Sequence, residues 1–297
     1  MSKNILVTGG MGFIGSNLVD ELISTGHNVT VIDDKSATEN ERFYINKKAK
    51  NIVKDISKDD CHQYFKNIDF VFHMAARSRI QPTIGSPNEC FEVNVVGTQR
   101  VLEWSRSNSI KRVIYSGTSS LYGHQNTIPF QPNMPSDCLN PYSMSKWMGE
   151  QVCKLYSQLY SLNCTVLRYF NVYGPREPLK GQYAPVIGLF KRQASEGRPI
   201  TIVGDGEQRR DFTHVEDVIA ANTLSMNLAE QKTFDIYNVG TGVNFSINEI
   251  ADLVGGEKKY IPHRPAEVRE TLADITLTTK DLKWKPTKSL EKCIMKY

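Results

Sequence analysis

The stretch "VTGGMGFIGSNL" (residues 7–18) decides how this chain is read. It follows the apolar run "ILVT" (5–8) and opens a helical pattern in which Ile14, Leu18 and Leu22 recur every four residues. Gly10, Gly12 and Gly15 satisfy G-x-G-x-x-G, and Gly9, Gly12 and Gly15 satisfy G-x-x-G-x-x-G. Glycines so placed permit a tight turn, let a pyrophosphate approach the backbone and let the helix pack close to the strand. The helix N-terminus then offers free N–H donors and partial positive charge to the phosphates. Eighteen residues past Gly15, closing the second apolar run "VTVID" (29–33), stands Asp33. A carboxylate there accepts hydrogen bonds from a ribose 2′-hydroxyl and repels a 2′-phosphate, which favours NAD over NADP. Lys35 and Arg42 are near enough to keep NADP as an alternative. Strand, loop, helix and acid in this order form a dinucleotide-binding unit.

Outward from that unit, short apolar runs recur: "NIVKD" (51–55), "FVFHM" (70–74), "RVIYS" (112–116) and "TVLRYF" (165–170). Continuous rather than alternating runs suit parallel strands covered on both faces. The amphipathic segments 89–107 and 142–160 read as long helices between them. The alternation predicts an α/β fold, a doubly wound parallel Rossmann-type sheet. The character changes after residue 173, with the loop-like "GPREPLKGQYAP", a helix over 186–196, the strand "PITIVG" and the loop "DGEQRRDF". "FDIYNVG" (234–240) reads as a strand returning to the main sheet, and the tail as helix, short strand and final helix. The expected organisation is a cofactor domain over 1–172 and 212–242. A smaller, partly interleaved C-terminal substrate domain covers 173–211 and 243–297.

A chain of 297 residues with 40% hydrophobic and 23% charged content buries a full core. Net charge is +4, but the basic clusters are short and separated, so a nucleic-acid partner is not expected. The six cysteines include no Cys-x-x-Cys pair, and the histidines show no ligand spacing, so no metal site is expected. No leader or membrane-spanning run is legible, which makes the cytoplasm the expected location.

The reactive candidates lie further along. "YSGTSSLYG" (115–123) closes the fifth strand, and strand C-terminal ends line the ligand crevice of such sheets, which puts Thr118 at its mouth. In "NPYSMSK" (140–146), Tyr142 and Lys146 stand one helical turn apart on one face. A second pair at the same spacing, Tyr44 and Lys48, lies in the charged stretch 41–50 and has no such context. A free phenol with a pKa near ~10 is a poor base at neutral pH. The Lys146 ammonium and a positively charged nicotinamide are expected to lower that value. Tyr142 would then take a proton from a sugar hydroxyl hydrogen-bonded to Thr118. Asp55, closing the third strand, either meets an adenine edge or serves only its own turn.

"TGGMGFIG", "HMAA" (73–76), "SGTSSLYG", "PYSMSK", "RYFNVYGP", "GDGEQRRDF" and "YNVGTG" together resemble the motif set of the extended short-chain dehydrogenase/reductase family. The likeness is to its NAD-dependent nucleotide-sugar 4-epimerases, and it runs from residue 4 to about 290. It implies seven parallel strands, NAD as cofactor, a UDP-sugar substrate and a homodimer formed through the two long helices. The cofactor residues it implies are Gly9, Gly12, Phe13, Ile14, Gly15, Asp33, Asp34, Asp55 and Ile56, followed by Met74, Ala75, Ala76, Asn94, Ser116, Tyr142, Lys146 and Tyr169. Asn171, Gln182, Arg210 and Arg264 would hold the nucleotide diphosphate; two arginine forks suit a pyrophosphate. Thr271, seven residues past Arg264, would border the sugar pocket and, being small, admit N-acetylated sugars.

Dehydratases and decarboxylases of this family resemble one another in an acidic residue two places after the threonine, or an Asp-Glu pair. Here Ser119 and Ser120 follow Thr118, which favours epimerisation. A rival reading has Thr118, Ser119, Ser120 and Arg176 bind a uronate carboxylate; another keeps a non-catalytic NAD sensor. His73 and His214 read as structural, and Trp104 and Trp147 as packing or dimer contacts.

Overall fold

The computed structural model describes residues 2–37, 42–179, 184–229 and 232–294. The strands of the main sheet are β1 (Asn4–Thr8), β2 (Asn28–Asp33), β3 (Lys50–Val53), β4 (Phe70–His73), β5 (Arg112–Thr118) and β6 (Cys164–Tyr169). Short strands follow: β7 (Val172–Tyr173), β8 (Ile200–Val203), β9 (Arg209–Asp211) and β10 (Thr213–His214). β11 (Phe234–Val239), β12 (Asn244–Ser246) and β13 (Lys258–Ile261) complete the set. The seven-stranded sheet has the order β11-β6-β5-β4-β1-β2-β3, with every pairing parallel. The order reverses between β1 and β4, and the crevice at that switch is where such sheets take ligands.

The helices are α1 (Phe13–Ser24), α2 (Ile80–Gly85), α3 (Pro87–Phe91), α4 (Gly97–Ser107), α5 (Pro141–Tyr160) and α6 (Val186–Ser195). α7 (Val215–Ser225), α8 (Ile247–Val254), α9 (Thr276–Leu282) and α10 (Leu290–Ile294) follow. Alternate residues of β1 enter opposite cores. Ile5 and Val7 join Leu18, Leu22 and Val218 beneath α1 and α7, whereas Leu6 joins Val101, Leu102 and Cys153 beneath α4 and α5. That two-faced burial is why the strands read as unbroken apolar runs.

The smaller unit has its own core, in which Ile187 and Phe190 of α6, Ile200 and Ile202 of β8, Ile250 of α8 and Leu290 of α10 pack together. β8 pairs with β13, and β9 with β12. Two features depart from expectation. The segment expected as one helix over 89–107 is α3 and α4 joined by a π-turn, Glu92–Val96. The tail does not stay with the small unit: Leu282 and Trp284 pack in the core of the main sheet, and Trp284 Nε1 donates to the Asp217 carbonyl at 2.9 Å. Among the described residues no helix is long and apolar enough to cross a membrane.

Candidate active site

One cleft of ≈ 790 Å³ opens at the carboxyl ends of the strands and continues toward the small unit, within the usual range for ligand pockets. Its first wall is the glycine turn between β1 and α1. Gly9 adopts φ +70, and a side chain there would meet the Ala75 backbone nitrogen at 2.7 Å. A Cβ on Gly15 would fall 2.1 Å from the Gly9 carbonyl oxygen. Only hydrogen at these positions leaves the turn closed and the start of α1 bare toward the cleft. Asp33 braces the turn: Oδ2 accepts from Met11 N at 2.9 Å and Oδ1 from Lys35 N at 2.8 Å. Burial raises the Asp33 carboxyl and these two backbone donors oppose the rise. Asp33 also faces the cleft, so its remaining lone pairs are available to a ribose. A bare helix start, a turn that admits only glycine and a braced acid fit a dinucleotide.

Along this wall run Gly12, Phe13, Ile14, Asp34, Asp55, Ile56, Met74, Ala75, Ala76 and Ser116. Asp55 serves its own turn, with Oδ1 accepting from Ser57 N at 2.8 Å and Ser57 Oγ at 2.7 Å, while still lining the cleft. Arg42 lies over the Tyr44 ring. Arg77 reaches Asp34 and Glu89. Tyr169 donates to Asn222 Oδ1 at 3.0 Å and lines the same wall.

Tyr142, Lys146 and Thr118 meet deeper in. Asn140 and Ser143 close a reciprocal capping box and Pro141 occupies the first turn, so "NPYS" starts α5 and fixes Tyr142 in its first turn. The Tyr142 hydroxyl is hydrogen-bonded to Thr118. Thr118 in turn caps a 3₁₀ turn by accepting from Ser120 N at 3.2 Å. Burial pushes the phenol up, and the opposing influences come from Thr118 first and then Arg79. Lys146 Nζ lies over the Tyr115 ring, 4.2 Å from its centre. Burial lowers the Lys146 ammonium to about 8, against the opposing pull of Glu150.

His73 is structural as read. Its ring nitrogens bond Thr8 Oγ1 at 2.7 Å and Thr98 Oγ1 at 2.9 Å, and burial drives it down to about 3, so it stays neutral. His214 caps α7 by accepting from Glu216 N.

Ser119, Ser120, Asn171, Arg210 and Arg264 line the far end of the cleft. Arg210 is held by the Arg209 and Arg269 carbonyls at 2.9 and 3.2 Å. Three expected site residues do not reach the cleft. Asn94 is buried behind it, accepting from Arg77 N at 2.7 Å and donating to Ser145 Oγ at 2.9 Å. Arg176, at φ +71, turns away to pair with Asp20 and to lie over the Tyr44 ring at 4.9 Å. Thr271 is buried, its hydroxyl accepting from Asp211 N at 3.2 Å and Asn171 Nδ2 at 3.4 Å. Gln182 lies outside the described residues. The residue missed from sequence is Arg79, a cation that lines the cleft within electrostatic reach of Tyr142. Its nearness to "HMAA" was the available signal. Among the described residues no cluster of His, Cys, Asp or Glu could hold a metal ion.

Residues 5–240 match the sequence model of the NAD dependent epimerase/dehydratase family. A putative UDP-glucose 4-epimerase of Methanocaldococcus jannaschii is 36% identical, covering 98% of this chain and 95% of its own. The Thermotoga maritima UDP-glucose 4-epimerase, solved with UDP-glucose, superposes with a TM-score of 0.91 at 32% identity, covering 98% and 96% of the two chains. The UDP-N-acetylglucosamine 4-epimerase of Methanobrevibacter ruminantium, solved with UDP-N-acetylmuramic acid, gives 0.92 at 32% identity, covering 99% and 96%. The chain belongs to the NAD dependent epimerase/dehydratase family.

Proposed function

We propose that this chain is an NAD-dependent 4-epimerase of UDP-hexoses, acting on UDP-glucose and UDP-galactose or their N-acetylamino counterparts. The observation that carries the reading is convergence: Tyr142, Lys146 and Thr118 share one cleft with the glycine turn and with Arg210 and Arg264. NAD, when bound, accepts a hydride from carbon 4 and returns it, so no external redox partner is consumed. Thr118 hydrogen-bonds the 4-hydroxyl, and Tyr142 removes its proton as the C–H bond breaks and gives it back as that bond re-forms. Arg210 and Arg264 hold the diphosphate while the sugar turns to present its other face. Ser119 and Ser120 place no carboxylate beside the 4-keto sugar, so elimination has no acid to assist it there. A UDP-glucuronate substrate is the second reading. Arg176 does not serve it, but Arg79 supplies a cation in the cleft.

The test is product analysis of UDP-glucose, UDP-N-acetylglucosamine and UDP-glucuronate, each incubated without added reductant. Formation of a C4 epimer with no net nicotinamide reduction is expected, and the preferred sugar separates the two readings. Tyr142→Phe should lower turnover about 10²–10⁴-fold while NAD stays bound. Stoichiometric reduction, or no epimer from any of the three, would sink the assignment.

The same reading extends to assembly. Leu155, Leu159 and Tyr160 on α5 are 49%, 63% and 50% exposed, an apolar face that a second copy of this chain would cover. Sedimentation should find a dimer and Leu159→Glu should return it to monomer; a monomeric wild type would refute the arrangement.

A further inference from the structure

Behind the cleft, out of reach of any substrate, lies an ion pair between Glu150 of α5 and Arg168 of β6, 0% and 4% exposed. The guanidinium clamps the carboxylate, with Nη2–Oε2 at 2.8 Å and Nε to Oε1 and Oε2 at 3.1 and 3.3 Å. Its other edge donates to Tyr122 Oη at 2.8 Å and the Pro132 carbonyl at 3.0 Å. Tyr122 passes the chain to Asn238 of β11 at 2.7 Å. Burying two charges costs several kcal/mol per ion, and apolar replacements of similar volume are often as stable. Stability alone therefore does not account for the pair.

Its position does. Glu150 stands one turn beyond Lys146 on the same helical face. The other groups around Lys146 are Tyr142 and Cys153 on α5, Cys90 on α3, the Tyr115 ring on β5 and His73 on β4. Burial holds both thiols and both phenols up and His73 down, so each is kept in its neutral form. Burial raises the Glu150 carboxyl too, but Arg168 and then Lys146 oppose the rise; clamped by a guanidinium that does not deprotonate, Glu150 is the negative charge that faces Lys146. The remaining contacts of Arg168 join the turn after Thr118 to the strand that ends in Tyr169.

We propose that Glu150 is a positioning residue of this site: with Arg168 as counterion it keeps Lys146 in its ammonium form and locks α5 to the strand ends that carry Thr118 and Tyr169. This rests on the reading that Lys146 works as a cation beside Tyr142. The test follows the Lys146 side chain of the NAD-loaded protein through pH by carbon and nitrogen NMR, assigned with Lys146→Arg. Wild-type Lys146 should titrate below the ordinary lysine range, as its burial dictates. In Glu150→Gln the midpoint should fall by about one pH unit or more, tenfold or more in the ammonium fraction, and the alkaline limb of kcat/KM should move with it. In Glu150→Gln/Arg168→Gln, which leaves no orphaned guanidinium, the midpoint should fall less but remain below wild type; this variant decides the matter if the single one does not fold. Unchanged midpoints would overturn the proposal, because a purely structural pair alters melting and not this titration. A shifted midpoint in a protein that epimerises nothing would uphold the charge coupling and reject the assigned reaction.

Discussion

Replacing Lys146 by methionine should stabilise the protein at neutral pH while destroying its activity. Lys146 is 3% exposed, and burial lowers its pKa from 10.5 to about 8. Below pH 8 the native protein keeps a charged amine in an apolar setting. Between about 8 and 10.5 the native state has lost that proton and the unfolded chain still holds it. The unfolded state then binds more protons, so wild-type stability rises with pH across this window. The depression corresponds to about 3 kcal/mol, which wild type lacks at pH 7 and recovers by pH 10.5. Methionine carries no such penalty, though it loses the contact of Nζ with the Tyr115 ring, about 0.5–2 kcal/mol. Urea unfolding of both NAD-stripped proteins from pH 7 to 10.5 is the assay. The stability difference in favour of Lys146→Met should shrink by about 3 kcal/mol as pH rises, whatever constant offset the packing change adds. A pH-independent difference would refute the reasoning, since only a proton lost at different pH in the two states gives that slope.

Asp33→Asn removes the charge of the glycine turn's brace and turns one of its two acceptors, at Met11 N or Lys35 N, into a donor. Hydrogen bonds to a charged acceptor contribute about 1.5–3 kcal/mol, so NAD affinity should weaken about 10–100-fold by fluorescence titration of the stripped protein; unchanged affinity would count against the brace at Met11 N and Lys35 N. Thr271→Tyr should act through folding and not selectivity. Overpacking a buried site costs about 1–3 kcal/mol, so the melting temperature should fall while the ratio of kcat/KM for acetylated and plain UDP-sugars holds; a selective loss of the acetylated sugar would reinstate Thr271 as a gate.

What was legible in the sequence is what local spacing encodes. The glycine turn and the Tyr142–Lys146 pair each depend on residues within a few positions of one another, Asp33 on closing the next strand eighteen residues past Gly15, and all line the cleft. The failures share a different cause. Asn94 sits in a π-turn, where an extra residue per turn rotates side chains off the 3.6-residue period that sequence reading assumes. Arg176 follows a left-handed residue conformation that its neighbours do not announce, and its partner Asp20 lies on α1, far away along the chain. Thr271 is fixed by Asp211 and Asn171, sixty and a hundred residues distant. Counting forward from Arg264 gives its position along the chain but not which way its side chain turns. Glu150 and Arg168 were invisible for the same reason, since a single Glu on an amphipathic helix reads as solvated until the strand opposite is known.

The two reactive groups are shifted in opposite directions by one cause. Burial raises Tyr142 and lowers Lys146, and both changes favour the uncharged form. A cleft left to itself therefore holds its proton on the phenol. Positive charge beside the phenol opposes that rise, and Arg79 is one cation of this chain that does so. For Lys146 to act as a cation beside Tyr142 its charge must survive the same burial, and that requirement is what gives a negative group one turn further along the helix its purpose.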